Sequence, residues 1–179
     1  LYQLAIDNGS KTAYTLLGNC YRYGIGVVQN DNKAIELYKK AVEPGQQGEI
    51  DPWSEYVMGL RFLDGDGIEK DEAKALEWFY KAARDGNGET RAISRIGYFH
   101  LYGISVEQNY EEAYKWLKVA SNKGDAGACY YLGFMYLRGW YVEQNFSVAI
   151  DLFAKAADVG WKDAMYYLGL MYLNGDGTD

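Results

Sequence analysis

Proline, cysteine and histidine are scarce in this sequence, and each scarcity closes a route to function. The 179 residues include 2 Pro, 2 Cys and 1 His. Two cysteines, Cys20 and Cys129, make no disulfide framework. One histidine, His100, with no flanking cysteine leaves no set of metal ligands and no base to complete a triad, so no metal and no cofactor is expected. Long apolar runs are missing too. No stretch approaches the roughly 18 residues of a membrane-spanning helix, and no signal peptide is visible. Basic clusters are equally absent: the longest run is Lys39-Lys40, and 25 acidic residues outweigh 18 basic ones for a net charge of −7. A nucleic-acid binder would carry a basic stripe, so nucleic acid is not an expected partner. What remains is a hydrophobic content of 49%, enough for a packed core, with 21 Gly and 18 Tyr.

The glycines reveal an internal repeat, which decides the fold before any local reading does. The phrases LLGNCYRYG (16–24), VMGLRFLDG (57–65), RIGYFHLYG (95–103), YLGFMYLRG (131–139) and YLGLMYLNG (167–175) align on Gly18, Gly59, Gly97, Gly133 and Gly169. The steps between these inner glycines are 41, 38, 36 and 36 residues. A second glycine follows six residues later in each unit, from Gly24 to Gly175. Downstream, Ala34, Ala75, Ala113 and Ala149 share one register position, and Ala41, Ala82, Ala120 and Ala156 share another.

Each unit reads as two helices, because its apolar residues recur at three- and four-residue steps. Helix A carries the inner glycine. Helix B reads KAIELYKKAV (33–42), KALEWFYKAA (74–83), EAYKWLKVAS (112–121) and VAIDLFAKAA (148–157). Asn30, Asp71, Asn109 and Asn145 precede B, where a side-chain oxygen caps free N–H groups. Asn109 and Glu112 have the spacing of a capping box. Mid-helix glycine costs up to about 1 kcal/mol relative to alanine. Its return five times predicts that helix B of the same unit approaches closely there.

This set of features resembles the tetratricopeptide superfamily and, through the turns GIGVVQND (24–31), GDGIEKDE (65–72), GISVEQNY (103–110) and GWYVEQNF (139–146), its Sel-one-like repeat (SLR) subfamily. The departures are Met58 and Ile96 before the inner glycine, His100 in an aromatic slot, and Ser105 and Tyr141 at the second turn glycine. The resemblance implies an all-α fold: a right-handed α-solenoid of stacked antiparallel helix pairs with a concave face. It also implies an adaptor or scaffold that binds a protein or peptide, and, from the family's distribution, a bacterial source. The units expected are the end of a B helix at 1–9, repeats at 10–50, 51–88, 89–124 and 125–160, and a first helix at 161–179. Residues 43–52 hold both prolines and are expected to act as a joint. The chain begins at Leu1 and its last helix shows Tyr166, Tyr167, Leu168, Leu170, Met171 and Tyr172 with no helix B to follow. We read it as a piece of a longer array, with end-to-end self-association as the alternative.

In a tetratricopeptide-like array the groove is lined by helix A positions off the packing stripe. Counted from the inner glycine these are −3 (Thr15, Tyr56, Ser94, Tyr130, Tyr166), +1 (Asn19, Leu60, Tyr98, Phe134, Leu170) and +5 (Tyr23, Asp64, Tyr102, Arg138, Asn174). Aromatic and arginine side chains dominate interface hot spots. The expected partner-binding set is therefore Tyr56, Tyr98, Tyr102, Tyr130, Phe134, Arg138 and Tyr166. Position +4 (Leu63, Leu101, Leu137, Leu173) is assigned to the core, and the two cysteines to small buried fillers. Some relatives in the family have been linked to β-lactam binding or hydrolysis. That chemistry wants a Ser-x-x-Lys, and no serine here has a lysine three residues later. Asp64, Asp66, Asp71 and Glu72 resemble a calcium loop only until Ile68, which stands where an oxygen ligand is needed. No catalysis is expected.

Overall fold

The structure, a computed structural model, describes residues 2–43, 52–65 and 67–177, with the backbone alone at Asp85. The expected joint at 43–52 lies outside the described residues except for its two ends. The described residues form ten α-helices and one short 3₁₀ turn (Arg84–Gly86), with no strand among them. They are α1 (Tyr2–Asp7), α2 (Lys11–Tyr23), α3 (Asp31–Val42), α4 (Pro52–Asp64), α5 (Glu72–Ala83), α6 (Thr90–Tyr102), α7 (Tyr110–Asn122), α8 (Ala126–Arg138), α9 (Phe146–Asp158) and α10 (Lys162–Asn174). None is long and apolar enough to cross a membrane. Contacts divide the chain into two compact units, residues 1–89 with α1 to α5 and residues 90–179 with α6 to α10. Within the units, α2 packs on α3, α4 on α5, α6 on α7 and α8 on α9, each an A helix on its own B helix.

The inner glycines lie where these pairs meet. A Cβ placed on Gly18 would come within 2.6 Å of the Tyr38 ring, on Gly59 within 2.5 Å of Phe79, on Gly97 within 2.6 Å of Leu117 and on Gly133 within 2.8 Å of Phe153. In every repeat the intruding side chain comes twenty residues after the glycine. Phe79, Leu117 and Phe153 are 0% exposed and Tyr38 is 1% exposed. Burying such a side chain is worth about 1.5–3 kcal/mol, which outweighs the ~1 kcal/mol that mid-helix glycine costs. The B-helix alanines complete the seam: Ala41, Ala75, Ala82, Ala113, Ala120, Ala149 and Ala156 are 0% exposed and Ala34 is 2%. At Gly169, on α10, nothing lies within 4 Å of such a Cβ.

The turns between A and B repeat in atomic detail. The backbone N–H groups of Asn30, Asp71, Asn109 and Asn145 donate to the carbonyls of Tyr21, Phe62, His100 and Tyr136 at 2.8–3.0 Å. The side chains of the same four residues accept from the N–H groups of Lys33, Lys74, Glu112 and Val148 at 2.9–3.0 Å. The capping box at Asn109 is half made: the Glu112 carboxylate bonds Lys115 at 2.9 Å instead of reaching back. His100 holds the aromatic slot half-buried, and burial pushes its imidazole below the ordinary histidine range. Two residues accept a left-handed backbone where other repeats use glycine, Ser105 (φ 56°) and Tyr141 (φ 66°), against Gly26 (71°), Gly67 (73°) and Gly177 (71°). Such a conformation costs a residue with a Cβ about 1–2 kcal/mol.

Two core assignments need correction. At position +4 only Leu101 is buried; Leu63 and Leu137 are half-buried and Leu173 is 81% exposed. This position sits at the edge of the A–B seam, so its burial depends on which neighbours stand beside that edge. Cys129 is buried and 3.2 Å from the Ser121 hydroxyl, whereas Cys20 is half-buried.

The glycine contacts give a prediction of opposite signs for one substitution. Gly133→Ala is expected to lower unfolding free energy, because overpacking against Phe153 costs about 1–3 kcal/mol and exceeds the gain in helix propensity. Gly169→Ala meets no neighbour and should raise it by up to ~1 kcal/mol. Urea unfolding of the two variants beside the parent chain checks both. Ser105→Gly, which relieves a left-handed serine, should stabilise by roughly 0.5–1 kcal/mol in the same assay.

Candidate functional site

The second unit gathers tyrosines from its three A helices into one continuous series. Tyr102 and Tyr98 on α6 stand 5.0 Å apart between ring centroids. Tyr98 meets Tyr131 on α8 at 5.1 Å, and Tyr131 its neighbour Tyr130 at 5.2 Å. Tyr130 meets Tyr167 on α10 at 6.3 Å, and Tyr167 meets Tyr166 at 5.3 Å. These separations are those of favourable tilted and edge-to-face ring pairs. Both ends of the ladder are open to solvent, Tyr102 at 45% and Tyr166 at 62%, and the four rings between are half-buried.

A register rule builds this ladder. The residue at −2 on one A helix packs on the residue at +1 of the A helix before it: Tyr131 on Tyr98, and Tyr167 on Phe134 at 4.6 Å. Tyr131 and Tyr167 were not among the residues expected from sequence, although the phrases YLG at 131–133 and 167–169 display both. The inner glycine turns one face of helix A to helix B, which leaves −2 and +1 to the neighbouring A helices.

Of the expected residues, the structure brings Tyr98, Tyr102, Tyr130 and Tyr166 together in the ladder. Arg138 is exposed at the end of α8 and borders a cavity of about 290 Å³ shared with Tyr167, Leu170 and Asn174. Phe134 is only 9% exposed, held beneath the ladder by Tyr130, Phe153 and Tyr167. Tyr56 belongs to the first unit and is 7% exposed, packed against Trp53 and Phe79. These two are core residues with little surface to offer. The −3 position is in fact a seam position: Thr15 and Ser94 are buried as well, Thr15 sharing a 2.7 Å hydroxyl hydrogen bond with Ser54. It reaches solvent at Tyr166, on the last A helix.

Burial sets the electrostatics of the ladder. It pushes the Tyr130 phenol up to about 12, with the Asp163 carboxylate adding to the effect. It raises Tyr131 further, against the opposing pull of Arg95, and raises Tyr102 too. The phenols of Tyr102, Tyr130 and Tyr131 are thus held in the protonated form, with their hydroxyls available to donate or accept. Among the described residues no three His, Cys, Asp or Glu side chains gather into a group fit to hold a metal ion.

Repeat register, paired helices and seam glycines together match the Sel1 repeat model at residues 12–45, 54–87, 90–125, 126–161 and 162–179. The chain belongs to the Sel1 repeat family. Its A–B pairs are those of the SLR fold. A solved structure of a protective antigen of uropathogenic Escherichia coli, displaying an SLR fold, superposes with a TM-score of 0.83 at 28% identity, covering 98% of this chain and 36% of that one. An exopolysaccharide production negative regulator of Rhizobium meliloti is 27% identical over 135 residues, 71% of this chain and 50% of that protein. A chitin synthase regulator of Saccharomyces cerevisiae is 29% identical over 130 residues, 72% of this chain and 18% of that protein. The Sel1 chain therefore spans half the length of one curated relative and under a fifth of the other.

The raised phenols make the second unit sensitive to alkali. A buried tyrosine favours the protonated folded state, so its contribution is complete below the unfolded value near 10 and is lost as pH climbs toward the folded value. Melting temperature should be level from pH 7 to 9 and fall above about 10. In Tyr130→Phe the fall should be shallower, which thermal unfolding followed by circular dichroism at each pH would show.

Proposed function

We propose that this Sel1 chain is a non-catalytic protein-interaction module that holds a peptide or protein partner on its tyrosine ladder. The Sel1 family supplies modules of protein interaction and regulation, and the two curated relatives above carry regulator names. The observation that carries the finer reading is the unbroken run of six tyrosines across α6, α8 and α10, exposed at both ends. Rings of this kind offer a large rigid contact area at low entropic cost, and their hydroxyls satisfy the polar groups of a partner backbone. Arg138 adds a donor fork at the end of α8 that suits a partner carboxylate or carbonyl. Tyr98 and Tyr130, half-buried in the seam, orient the surface, and Tyr102 and Tyr166 are the contacts a partner meets first.

The test is affinity capture from a lysate of the source cells, with the purified chain beside a Tyr102→Ala/Tyr166→Ala variant. A Tyr172→Ala chain serves as control, because Tyr172 is 55% exposed but lies outside the ladder. All three must first show equal helix content and melting. A protein retained by the parent and the control but lost from the ladder variant is the expected result. Identical captures on all three baits would remove the ladder from the binding surface.

A further inference from the structure

The second unit carries another aromatic group, built from the turn after α8 and the flank of α7, that the ladder does not use. Tyr110, at the start of α7, and Trp140, in the turn, lie nearly parallel, 11° between planes and 5.4 Å between centroids. Tyr114 on α7 meets Tyr136 at 6.5 Å and Tyr141 at 5.5 Å. The equivalent turn positions in the other repeats are Ile25-Gly26, Asp66-Gly67, Ile104-Ser105 and Asp176-Gly177. Only this turn places aromatics at both. Tyr141 does so at φ 66°, a conformation that glycine adopts freely, while leaving 54% of its surface in solvent. A large exposed ring kept in a backbone conformation that opposes it is the kind of outlier that marks a binding site.

The group already holds one cation. The Lys118 ammonium sits 5.3 Å from the Tyr114 ring centroid and donates to the Tyr114 hydroxyl at 3.0 Å. Acidic residues outnumber basic ones around it. Glu107 and Glu143 are exposed on the two flanking turns, and Glu111 and Glu112 open α7. Against these four stand Arg138, exposed two residues before Trp140, and Lys115 and Lys118, with Lys115 engaged by Glu111 and Glu112 at 2.9 Å each. Flat π faces with negative charge close by in sequence favour a planar delocalised cation over a compact one, because guanidinium stacks on rings and sheds water more readily than ammonium.

We infer that the turn cluster of Tyr110, Trp140 and Tyr141, flanked by Glu107 and Glu143, is a second docking surface that takes arginine side chains from a basic segment of a protein partner. One guanidinium stacks on the Trp140 and Tyr141 rings, and the glutamates hold neighbouring basic residues. This surface is independent of the tyrosine ladder and stands or falls without it.

The probes are two synthetic peptides of equal charge, (Gly-Arg-Ser)₄ and (Gly-Lys-Ser)₄, titrated into the ¹⁵N-labelled chain. The Trp140 indole resonance is assigned by its loss in Trp140→Leu. The arginine peptide should shift that resonance and bind at least about threefold tighter than the lysine peptide, in line with one or two stacked guanidiniums. Tyr141→Gly, which relieves the backbone, and Trp140→Leu should each reduce arginine binding to the lysine level. The Tyr102→Ala/Tyr166→Ala chain should keep the preference. Equal binding of the two peptides, an unmoved Trp140 resonance, or a preference that survives both turn variants would overturn the inference. So would a preference lost in the ladder variant, which would place the arginine site there.

Discussion

In each full repeat, helix A leaves out a side chain where a large residue of its own helix B packs against it. The inner glycine is that omission, and the residue twenty positions later is what enters it. A tyrosine (Tyr38), two phenylalanines (Phe79 and Phe153) and a leucine (Leu117) differ in size and shape, yet each takes the same place over its glycine. The glycine thus fixes a register without fixing an identity, and the buried alanines of helix B let the two backbones stay close along the rest of the seam. Protein interiors admit few voids, so a side chain on either partner would shift the pair as a whole. The remaining faces of helix A follow from this contact. With one face committed to helix B, positions −2 and +1 are left to neighbouring A helices, and the ladder grows from that remainder.

The repeat itself was legible in sequence because its carriers are backbone constraints. A glycine required by close approach and an asparagine required by a cap show as fixed residues at fixed spacing. The four caps and four seam contacts stand where the spacing placed them. The surface was less legible. Positions −3, +1 and +5 lie off the packing stripe in the sequence pattern, but exposure depends on what the adjacent helix brings. Tyr56 and Tyr130 share a register position. Tyr56 is enclosed by Trp53 and Phe79, whereas Tyr130 joins a ladder that continues onto α10. Tyr131 and Tyr167 escaped because −2 reads as part of the stripe. They are half-buried because the stripe there faces another A helix with aromatic residues of its own.

The turns illustrate a different freedom. Their geometry is held by two hydrogen bonds at a single asparagine or aspartate and by the helices on either side, so a local conformational cost does not unmake them. Ser105 and Tyr141 occupy left-handed positions without altering the cap that follows: the Asn109 and Asn145 bonds match those after Gly26 and Gly67. Turn residues can therefore vary for reasons unrelated to folding, and it is in the turn after α8 that aromatic residues accumulate.

The two surfaces of the second unit would select partners by different physics. The ladder carries no charged side chain, burial raises the phenols of Tyr102, Tyr130 and Tyr131, and on the proposed reading its attraction rests on contact area and hydroxyl geometry. Salt scarcely affects such an attraction. The turn cluster depends on ring quadrupoles and exposed carboxylates, and an ion atmosphere with a Debye length of about 8 Å at physiological strength weakens exposed charge pairs. A partner engaging both would be drawn toward the acidic chain by the second surface and retained by the first. Electrostatics of this kind mostly govern the rate of encounter, and desolvated aromatic contact mostly governs the rate of release. A partner that engaged both proposed surfaces would therefore meet them at separate steps, the turn cluster at encounter and the ladder at release.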